Sequence, residues 1–229
     1  MVTLEDKLKN PVWYSLNETH KKFLIEYNGV QFYDPNICNF GAFFDTKKTA
    51  KALSTYSELV ENFFLVSENQ SPEIDNNFVV LDKKINGCQM VLENLIEVEI
   101  TETIVPLTKE YIDEIYDLIW LVMPGFYRKR GFEMGLYFGI FKNGKLVAIT
   151  GQRMQTDEFI EISGVVTHPD YTGKGLAKQL ITHTTKEILK EKKLPILHTN
   201  KGNKAIPLYK KLGFKVSRDM NWWFYRRKK

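Results

Sequence analysis

Gly173, Lys174 and Gly175 are the residues whose types and spacing point most clearly to chemistry. They follow an apolar run that predicts a strand, and they precede a periodic run that predicts a helix. A glycine turn at such a junction presents backbone N–H groups at the positive end of a helix dipole, which together attract an anion such as phosphate. Glycine lets the backbone approach the anion closely, and Lys174 and Lys178 add positive charge. The alternative for so short a motif is a solvated tight turn that only begins the helix.

Two familiar phosphate-binding patterns are absent from the sequence. Gly-x-x-x-x-Gly-Lys-Ser/Thr does not occur, and the Gly-x-Gly-x-x-Gly of dinucleotide sites fails because position 178 is lysine. These absences argue against an NTPase and against a nicotinamide-dependent dehydrogenase. Cys38, Cys88 and the four histidines show no ligand-like spacing, so we expect neither a metal site nor a disulfide framework. We interpret both cysteines as buried thiols.

The second half of the chain carries a regular series of elements that would position the glycine turn. Asn143-Gly144 predicts a tight hairpin, because both residues tolerate a positive φ, and His168-Pro169 ends a strand because proline lacks a ladder N–H. A long helix is predicted from Leu176, with Leu180, Ile181, Thr184, Ile188 and Leu189 sharing its apolar face. Predicted strands cover residues 135–141, 145–154, 158–167 and 195–199, and a helix over residues 204–212 precedes terminal strands that reach residue 225.

Charge and pattern divide the chain into two predicted units. Residues 1–100 contain 9 Lys and Arg against 15 Asp and Glu, whereas residues 101–229 contain 23 against 13. The basic half would attract a phosphate-bearing cosubstrate or a nucleic acid. We place the boundary so that residues 1–101 form a smaller α+β unit and residues 102–229 form the second unit, which opens with a strand or linker and a helix over 108–123 capped by Thr108.

The first unit shows no motif from which a function could be predicted. One helix is predicted over residues 46–59, and short aromatic strands are predicted over residues 23–27, 30–33, 40–44, 63–66, 78–81 and 88–92. Neither a signal-peptide pattern nor an apolar run long enough for a membrane span occurs in the sequence. We therefore expect a soluble, cytoplasmic protein with no membrane partner.

Two motifs in the second unit resemble those of the GNAT superfamily of acyl-CoA-dependent N-acyltransferases. The segment from Thr172 to Ala177 approaches the signature Gln/Arg-x-x-Gly-x-Gly/Ala, with Thr172 in place of the first residue, and Val165-Val166-Thr167-His168-Pro169 resembles the strand before it. Ala205-x-x-Leu208-Tyr209-Lys210-Lys211-Leu212-Gly213-Phe214 resembles the family's late helix and its Leu-Tyr-x-x-x-Gly-Phe ending. The resemblance covers roughly residues 102–229 and is closest to the glycine-N-acyltransferase-like branch, in which a smaller N-terminal half can look like a degenerate copy of the same fold.

The resemblance implies an α+β fold with a mixed, mostly antiparallel sheet flanked by helices, and acetyl-CoA as cosubstrate without a metal. The pantetheine arm would pair with Val165, Val166 and Thr167 in a cleft where neighbouring strands splay. The residues that would hold the pyrophosphate are Thr172, Gly173, Lys174, Gly175, Leu176, Ala177 and Lys178. Asn200 and Asn203 are further cosubstrate candidates, and Asn203 is also the expected N-cap of the late helix.

The resemblance also suggests how acyl transfer would proceed. An alkyl ammonium must lose a proton before it attacks a thioester, which requires a base or a desolvating pocket. Glu161 is the candidate base, with Glu158 as the second choice; the alternative for Glu161 is an exposed strand carboxylate paired with an Arg or Lys. Tyr209 matches the family's general acid, although it could instead be a core aromatic. No cysteine lies in residues 102–229, so direct attack in a ternary complex is favoured, with a backbone N–H near Val166 polarising the carbonyl.

Two functions remain open at this point. The first is an N-acetyltransferase that moves an acetyl or short acyl group to a primary amine of a small molecule or peptide, and the second is a catalytically silent acyl-CoA-binding module. The basic run at residues 226–229 is more typical of a solvated tail than of a nucleic-acid site. Arg128, Lys129 and Arg130 could bind an acceptor carboxylate or form a solvated loop. Trp222 and Trp223 alternate on a late strand, so one of them could line the acceptor pocket.

Overall fold

The computed structural model describes residues 2–228 of the protein. The helices are α1 (Leu4–Lys9), α2 (Pro11–Asn17), α3 (Thr49–Ser57), α4 (Ile112–Val122), α5 (Leu176–Lys190) and α6 (Ile206–Lys211). The strands of the first half are β1 (Leu24–Tyr27), β2 (Val30–Tyr33), β3 (Phe40–Ala42), β4 (Asn62–Ser67) and β5 (Val79–Leu92). Those of the second half are β6 (Val105–Leu107), β7 (Tyr137–Lys142), β8 (Lys145–Gln155), β9 (Phe159–Thr167), β10 (Leu194–Asn200) and β11 (Phe214–Arg227).

All of these strands join one 11-stranded sheet, in the order β1-β2-β3-β4-β11-β5-β10-β9-β8-β7-β6. The pairs β3–β4 and β9–β10 are parallel and the others are antiparallel. The last strand of each half is inserted into the other half, because β5 pairs with β10 and β11 pairs with β4. These observations confirm the predicted α+β class with a mixed, mostly antiparallel sheet.

Helices cover both faces of the sheet. Ile160 and Ile162 of β9 pack in one cluster with residues of α5 and α6, whereas Phe159 packs on the opposite face with residues of α1 and α2. Helix α4 also lies opposite α5, since Tyr137 packs with α4 and its neighbour Phe138 packs with α5. The cluster on the α1 and α2 face contains side chains from both halves of the chain. The two halves therefore share a core as well as a sheet.

The structure corrects several predictions for the first half. Helices α1 and α2 were not predicted because each is shorter than about two turns, which gives too few positions for an apolar period. The two strands predicted over residues 78–81 and 88–92 are parts of the single strand β5. Its middle is polar and exposed because residues 79–86 pair with β11 alone, whereas residues 87–91 also pair with β10.

The second half matches its predicted elements more closely. Asn143 and Gly144 both have a positive φ in the hairpin between β7 and β8, as predicted. On α5 the predicted apolar face is buried except for Leu189, which is 42% exposed because it follows Ile188 around the helix. Thr108 precedes a short 3-10 turn, Lys109–Tyr111, and does not cap α4 itself. Helix α6 begins only at Ile206, with Ala205 as its N-cap residue.

Candidate active site

Strands β9 and β10 separate in the middle of the sheet and leave a gap between them. Their parallel pairing runs from Phe159 opposite Leu194 to Ile162 opposite Leu197 and stops there. Beyond this point residues 163–167 pair with β8 alone, and residues 198–200 pair with β5 alone. The backbone edges that face the gap are therefore free to pair with an extended ligand. Val165, Val166 and Thr167, which we predicted to bind a pantetheine arm, all lie along this edge.

A β-bulge at Gly164 marks the start of the gap. The register between β8 and β9 shifts there, and Gly164 has φ +60°, which favours glycine. Because the bulge adds one residue, side chains of β9 after Gly164 lie on the opposite face from the one that regular alternation would give. Ile162 packs on the side of α5, whereas Val166 packs on the side of α4. An extra residue at this point turns the backbone groups of β9 relative to the gap.

The glycine turn lies between β9 and α5, beyond the open end of the gap. Gly173 and Gly175 have φ values of +75° and +76°, and no side chain caps the helix. Within residues 2–228, no acceptor bonds to the backbone N–H groups of residues 173–178. A Cβ atom on Gly173 would meet nothing within 4 Å, so the turn faces open space. These groups form the anion-binding arrangement that the sequence predicts at this position.

The side chains around the turn take different places. Leu176 is buried in the core beneath α5, so it could contact an anion only through its backbone. Lys178 is exposed, and Lys174 places its Nζ 4.5 Å from the centre of the Tyr171 ring. Thr172 donates its hydroxyl to the Pro169 carbonyl at 2.9 Å. The hydroxyl thus stabilises the turn, at the position where the family signature has a longer Gln or Arg.

A cavity of about 340 Å³ adjoins the gap on the face covered by α4. Ser163, Gly164 and residues 198–200 line the end next to the gap. The other walls are mainly apolar and come from both halves of the chain, with Phe40 and Phe64 from the first half and Phe126 from the second. Trp222 lines this cavity, whereas Trp223 packs on the opposite face, so the predicted alternation of the two tryptophans is confirmed.

Arg153, Glu161 and His198 form a hydrogen-bonded group beside the cavity. Arg153 donates from Nε and Nη2 to the two oxygens of Glu161 at 2.8 and 2.6 Å, and His198 Nδ1 lies 2.9 Å from Glu161 Oε1. Glu161 is fully buried, which raises its pKa, but the Arg153 guanidinium and then His198 outweigh burial and hold the pKa well below the usual range. Both oxygens are used and the proton affinity is low, so this carboxylate is a poor proton acceptor.

Glu161 is paired with an arginine, as in the alternative to the predicted base role, but it is buried and not exposed. Glu158, the second choice, lies outside the site. Glu158 precedes β9 at the end opposite the gap, about 16 Å along the chain from Ser163 at the rise of a strand. Its carboxylate is paired with Lys7 at 2.6 Å. The sequence offered no sign of Arg153 or His198 as neighbours of Glu161, since Arg153 lies on another strand and His198 follows a helix.

Tyr209 lies on the opposite face of the sheet from Glu161. It is buried in the α5 and α6 core with Ile162, Leu197 and Val165, and burial raises the pKa of its hydroxyl. No hydrogen-bond partner of that hydroxyl occurs among the residues that the structure describes. Because Ile162 and Leu197 are the last paired residues before the gap, Tyr209 lies next to the point where the strands separate. A neutral phenol there is able to donate a proton.

Asn200 and Asn203 differ in how free their side chains are. Asn200 is exposed at the end of β10, beside the gap. Asn203 donates to Thr199 Oγ1 at 2.6 Å and accepts from the Ala205 N–H at 2.8 Å. It thus stabilises the entry to α6 from two residues before the N-cap position, which corrects the prediction that Asn203 is the N-cap itself. Its side-chain groups are occupied within the protein.

Other predictions concern metal, thiols and membranes. Cys38 and Cys88 are both free and buried, as predicted. In the described part of the chain, no group of His, Cys, Asp and Glu side chains could hold a metal ion. None of the helices in residues 2–228 is both long enough and apolar enough to span a membrane.

Comparison with known proteins gives a family match and several solved structures of similar fold. The model of the acetyltransferase (GNAT) family matches residues 94–214. A GNAT-family protein from Novosphingobium aromaticivorans has 25% sequence identity and a TM-score of 0.86, over 97% of this chain and 99% of that protein. A GCN5-related N-acetyltransferase-like protein from Streptococcus suis has 15% identity and a TM-score of 0.64, over 94% and 93% of the two chains.

A tandem GNAT protein from the clavulanic acid biosynthesis pathway is also similar in fold. Its TM-score is 0.54 at 13% identity, over 86% of this chain and 76% of that one. No curated protein sequence matches the chain at a significant level. The matched family segment contains the gap, the glycine turn and Tyr209, which are the main features of the candidate active site. The chain therefore belongs to the GNAT family of acetyltransferases.

Proposed function

We propose that this protein is an N-acetyltransferase that moves an acetyl group from acetyl-CoA to a primary amine by direct attack in a ternary complex. The observation that carries the proposal is the gap between β9 and β10, with an anion-binding turn beyond its end and a cavity behind it. The arrangement suits a long ligand with a phosphate at one end and a reactive group at the other. The glycine-N-acyltransferase-like branch stays a prediction within the family.

Acetyl-CoA would bind with its pyrophosphate on the N–H groups of residues 173–178 and its pantetheine arm along residues 165–167. The thioester would then lie where β9 and β10 separate, with Tyr209 on one face of the sheet and the cavity on the other. Asn200 borders the same opening, whereas Asn203 would act by supporting α6. A backbone N–H near Val166 is the candidate donor to the carbonyl oxygen.

The amine would attack the thioester carbonyl from the cavity. A carbon–nitrogen bond forms, the tetrahedral intermediate collapses, and the carbon–sulfur bond breaks. Tyr209 would donate its proton to the departing thiolate, the nitrogen would release one proton to solvent, and Tyr209 would recover a proton from solvent. The mainly apolar cavity favours the neutral amine by desolvation, which is the second route to deprotonation that the chemistry allows. Glu161 would serve as a positioning residue for Arg153 and His198.

A covalent route through cysteine is less compatible with this environment. Cys38 lines the cavity, but burial raises the pKa of its thiol to about 11. The thiolate is the reactive form, so Cys38 is a weak nucleophile near neutral pH. Cys88 is buried in the cluster on the α5 and α6 face, and burial raises its pKa as well. Direct attack by the amine therefore remains the favoured route.

The experiment is a titration of the purified protein with acetyl-CoA by calorimetry, followed by measurement of thiol release with pooled amino acids and polyamines. Binding together with acceptor-dependent thiol release supports the N-acetyltransferase. Binding without release from any acceptor would favour a silent acyl-CoA-binding module. Absence of binding would contradict both functions.

We also propose that residues 1–101 are a degenerate copy of the half that carries the site. The pairs β2–β3, β3–β4 and β4–β11 are antiparallel, parallel and antiparallel, as are β8–β9, β9–β10 and β10–β5. Helix α3 connects the parallel strands of the first half as α5 does in the second. In the first half the connection over residues 43–48 has no glycine, and Asp45 accepts from the Lys47 N–H at 3.0 Å. A carboxylate of the protein thus occupies the position where an anion would bind.

A further inference from the structure

The charged residues that line the cavity beside the strand gap indicate what kind of acceptor it could bind. Two arginines, Arg128 and Arg153, are among its lining residues, and no Asp or Glu is. Arg153 is balanced by Glu161, with which it makes an ion pair at 2.6 Å. Arg128 is half-buried, and no acceptor bonds to its guanidinium among the residues described here. Arg128 therefore brings to the cavity lining one positive charge that has no bonded counter-charge in the described chain, at the border with an outer pocket that Asp34 also lines.

Arg153, which also lines the cavity, retains a nitrogen without a hydrogen-bond partner in the described range. Its Nε and Nη2 are engaged with Glu161, while its Nη1 has no hydrogen-bond partner within residues 2–228. The guanidinium carbon lies 4.9 Å from the centre of the Phe40 ring, which fixes the orientation of the planar group. The Arg128 and Arg153 guanidiniums both oppose the effect of burial on the pKa of Cys38, consistent with their place around the same thiol.

An acceptor that fits this cavity needs three features. It needs an amine that reaches the gap at Ser163 and Gly164, an apolar body that contacts Phe40, Phe64 and Trp222, and an anionic group that pairs with Arg128. A polyamine lacks the anion and would bring further positive charge against Arg128. A carboxylate matches the planar fork of arginine in two parallel hydrogen bonds.

We infer that the acceptor is an amino acid with an apolar or aromatic side chain, whose carboxylate is bound by Arg128 with Arg153 behind it. This inference rests on the proposed acetyl transfer, because it names the substrate class of the same site. It assigns Arg128 as the residue that determines specificity. Lys129 and Arg130, its neighbours in the sequence, are paired with Asp113 and Glu133 instead.

The test compares acceptors that differ in the carboxylate alone. Thiol release from acetyl-CoA is measured with L-phenylalanine, L-leucine and L-methionine, with the amide and the decarboxylated amine of each, and with spermidine. We expect kcat/KM for at least one amino acid to exceed that for its amide and its amine by about thirtyfold or more, since the loss of one partner of a buried charged hydrogen bond is costly. Spermidine should be a poor acceptor.

Variants test the role assigned to Arg128. Arg128→Gln should remove most of the preference for the acid over the amide by raising KM for the acid, and Arg128→Lys should restore part of it. Arg226→Gln makes the same change of charge at an exposed arginine paired with Asp82, and it should keep the full preference. Affinity for acetyl-CoA, measured by calorimetry, should be unchanged in all three proteins.

The outcomes separate this inference from the function on which it rests. Thiol release that is equally fast with amides, amines or spermidine would overturn the inference and leave the acetyltransferase in place. An acid preference that survives Arg128→Gln would overturn the role of Arg128. If acetyl-CoA binds and no acceptor releases thiol, the proposed function and the inference fail together.

Discussion

At the scale of single residues, the ion pair between Arg153 and Glu161 controls both stability and the shape of the cavity. The Glu161 side chain is 1% exposed, so water does not reach its carboxylate, whereas the Arg153 side chain is 25% exposed. The Met154 N–H and His198 also bond to Glu161. A change at Glu161 therefore affects several neighbours at once.

We expect Glu161→Gln to lower the free energy of unfolding by about 3–5 kcal/mol, because it leaves Arg153 buried without its counter-charge. Urea denaturation followed by circular dichroism measures the change. Glu93→Gln removes a carboxylate from an exposed pair with Lys215 and should cost about 1 kcal/mol or less. A stable Glu161→Gln protein that binds acetyl-CoA but has lost turnover would instead support the base role predicted from the sequence.

Tyr209 has a single chemical group that distinguishes catalysis from packing, namely its hydroxyl. Tyr209→Phe keeps the ring in the core and removes the proton donor, so we expect kcat to fall about a hundredfold with little change in the Kd for acetyl-CoA. Tyr225→Phe is the matched control, because the Tyr225 hydroxyl is buried without a partner in a different core. Equal turnover in the two variants would show that Tyr209 is a packing residue.

At the scale of elements, the proposed function requires the glycine turn and the strand gap to bind one ligand together. Gly173 and Gly144 provide a matched pair of positions, since both have a positive φ, at +75° and +74°, and both face open space. A side chain on either residue strains the backbone. A side chain on Gly173 would also stand where a phosphate must approach the N–H groups of the turn.

We therefore expect Gly173→Val to weaken acetyl-CoA binding tenfold or more, and Gly144→Val to leave the Kd nearly unchanged. Calorimetric titration of both variants gives the affinities, and thermal unfolding gives the cost of backbone strain in each. Unchanged affinity in Gly173→Val would contradict the proposal that this turn binds the phosphate.

The elements around the site could be predicted because their signals are local. The Asn143-Gly144 hairpin, the proline after His168 and the period of α5 each lie within a few residues, and the structure has them close to the predicted positions. The bulge at Gly164 could not be predicted, because it depends on the register with β8. The burial of Glu161 could not be predicted either, since it requires Arg153 and His198 from two other strands.

At the scale of the whole molecule, the sheet places two similar halves around the pair β5 and β11. One half has a glycine turn with free N–H groups. In the other half, at the corresponding connection, the Asp45 carboxylate accepts a hydrogen bond from a backbone N–H of the same connection. We therefore expect calorimetry to show one acetyl-CoA per chain. A stoichiometry of two would contradict the proposal that the first half has lost its cosubstrate site.

The exchange of strands between the halves could not be seen in the sequence. The boundary near residue 102 follows a real change of charge, and it stays a prediction. However, β4 pairs with β11 through residues 62–67 and 221–226. Because these segments are far apart in the sequence, no local sequence pattern predicts their contact. The first-half wall of the cavity, which includes Phe40 and Phe64, depends on the same long-range arrangement.

The position of β11 also sets the order in which this protein can fold during synthesis. Strand β4 is translated long before residues 214–227, so β4 lacks one of its two neighbours until β11 has been made. Pairing between distant segments is slow, and an unpaired strand edge is open to association with other chains. The first half therefore completes its sheet only after β11 has been translated, and the edge of β4 lacks its native partner in the interval.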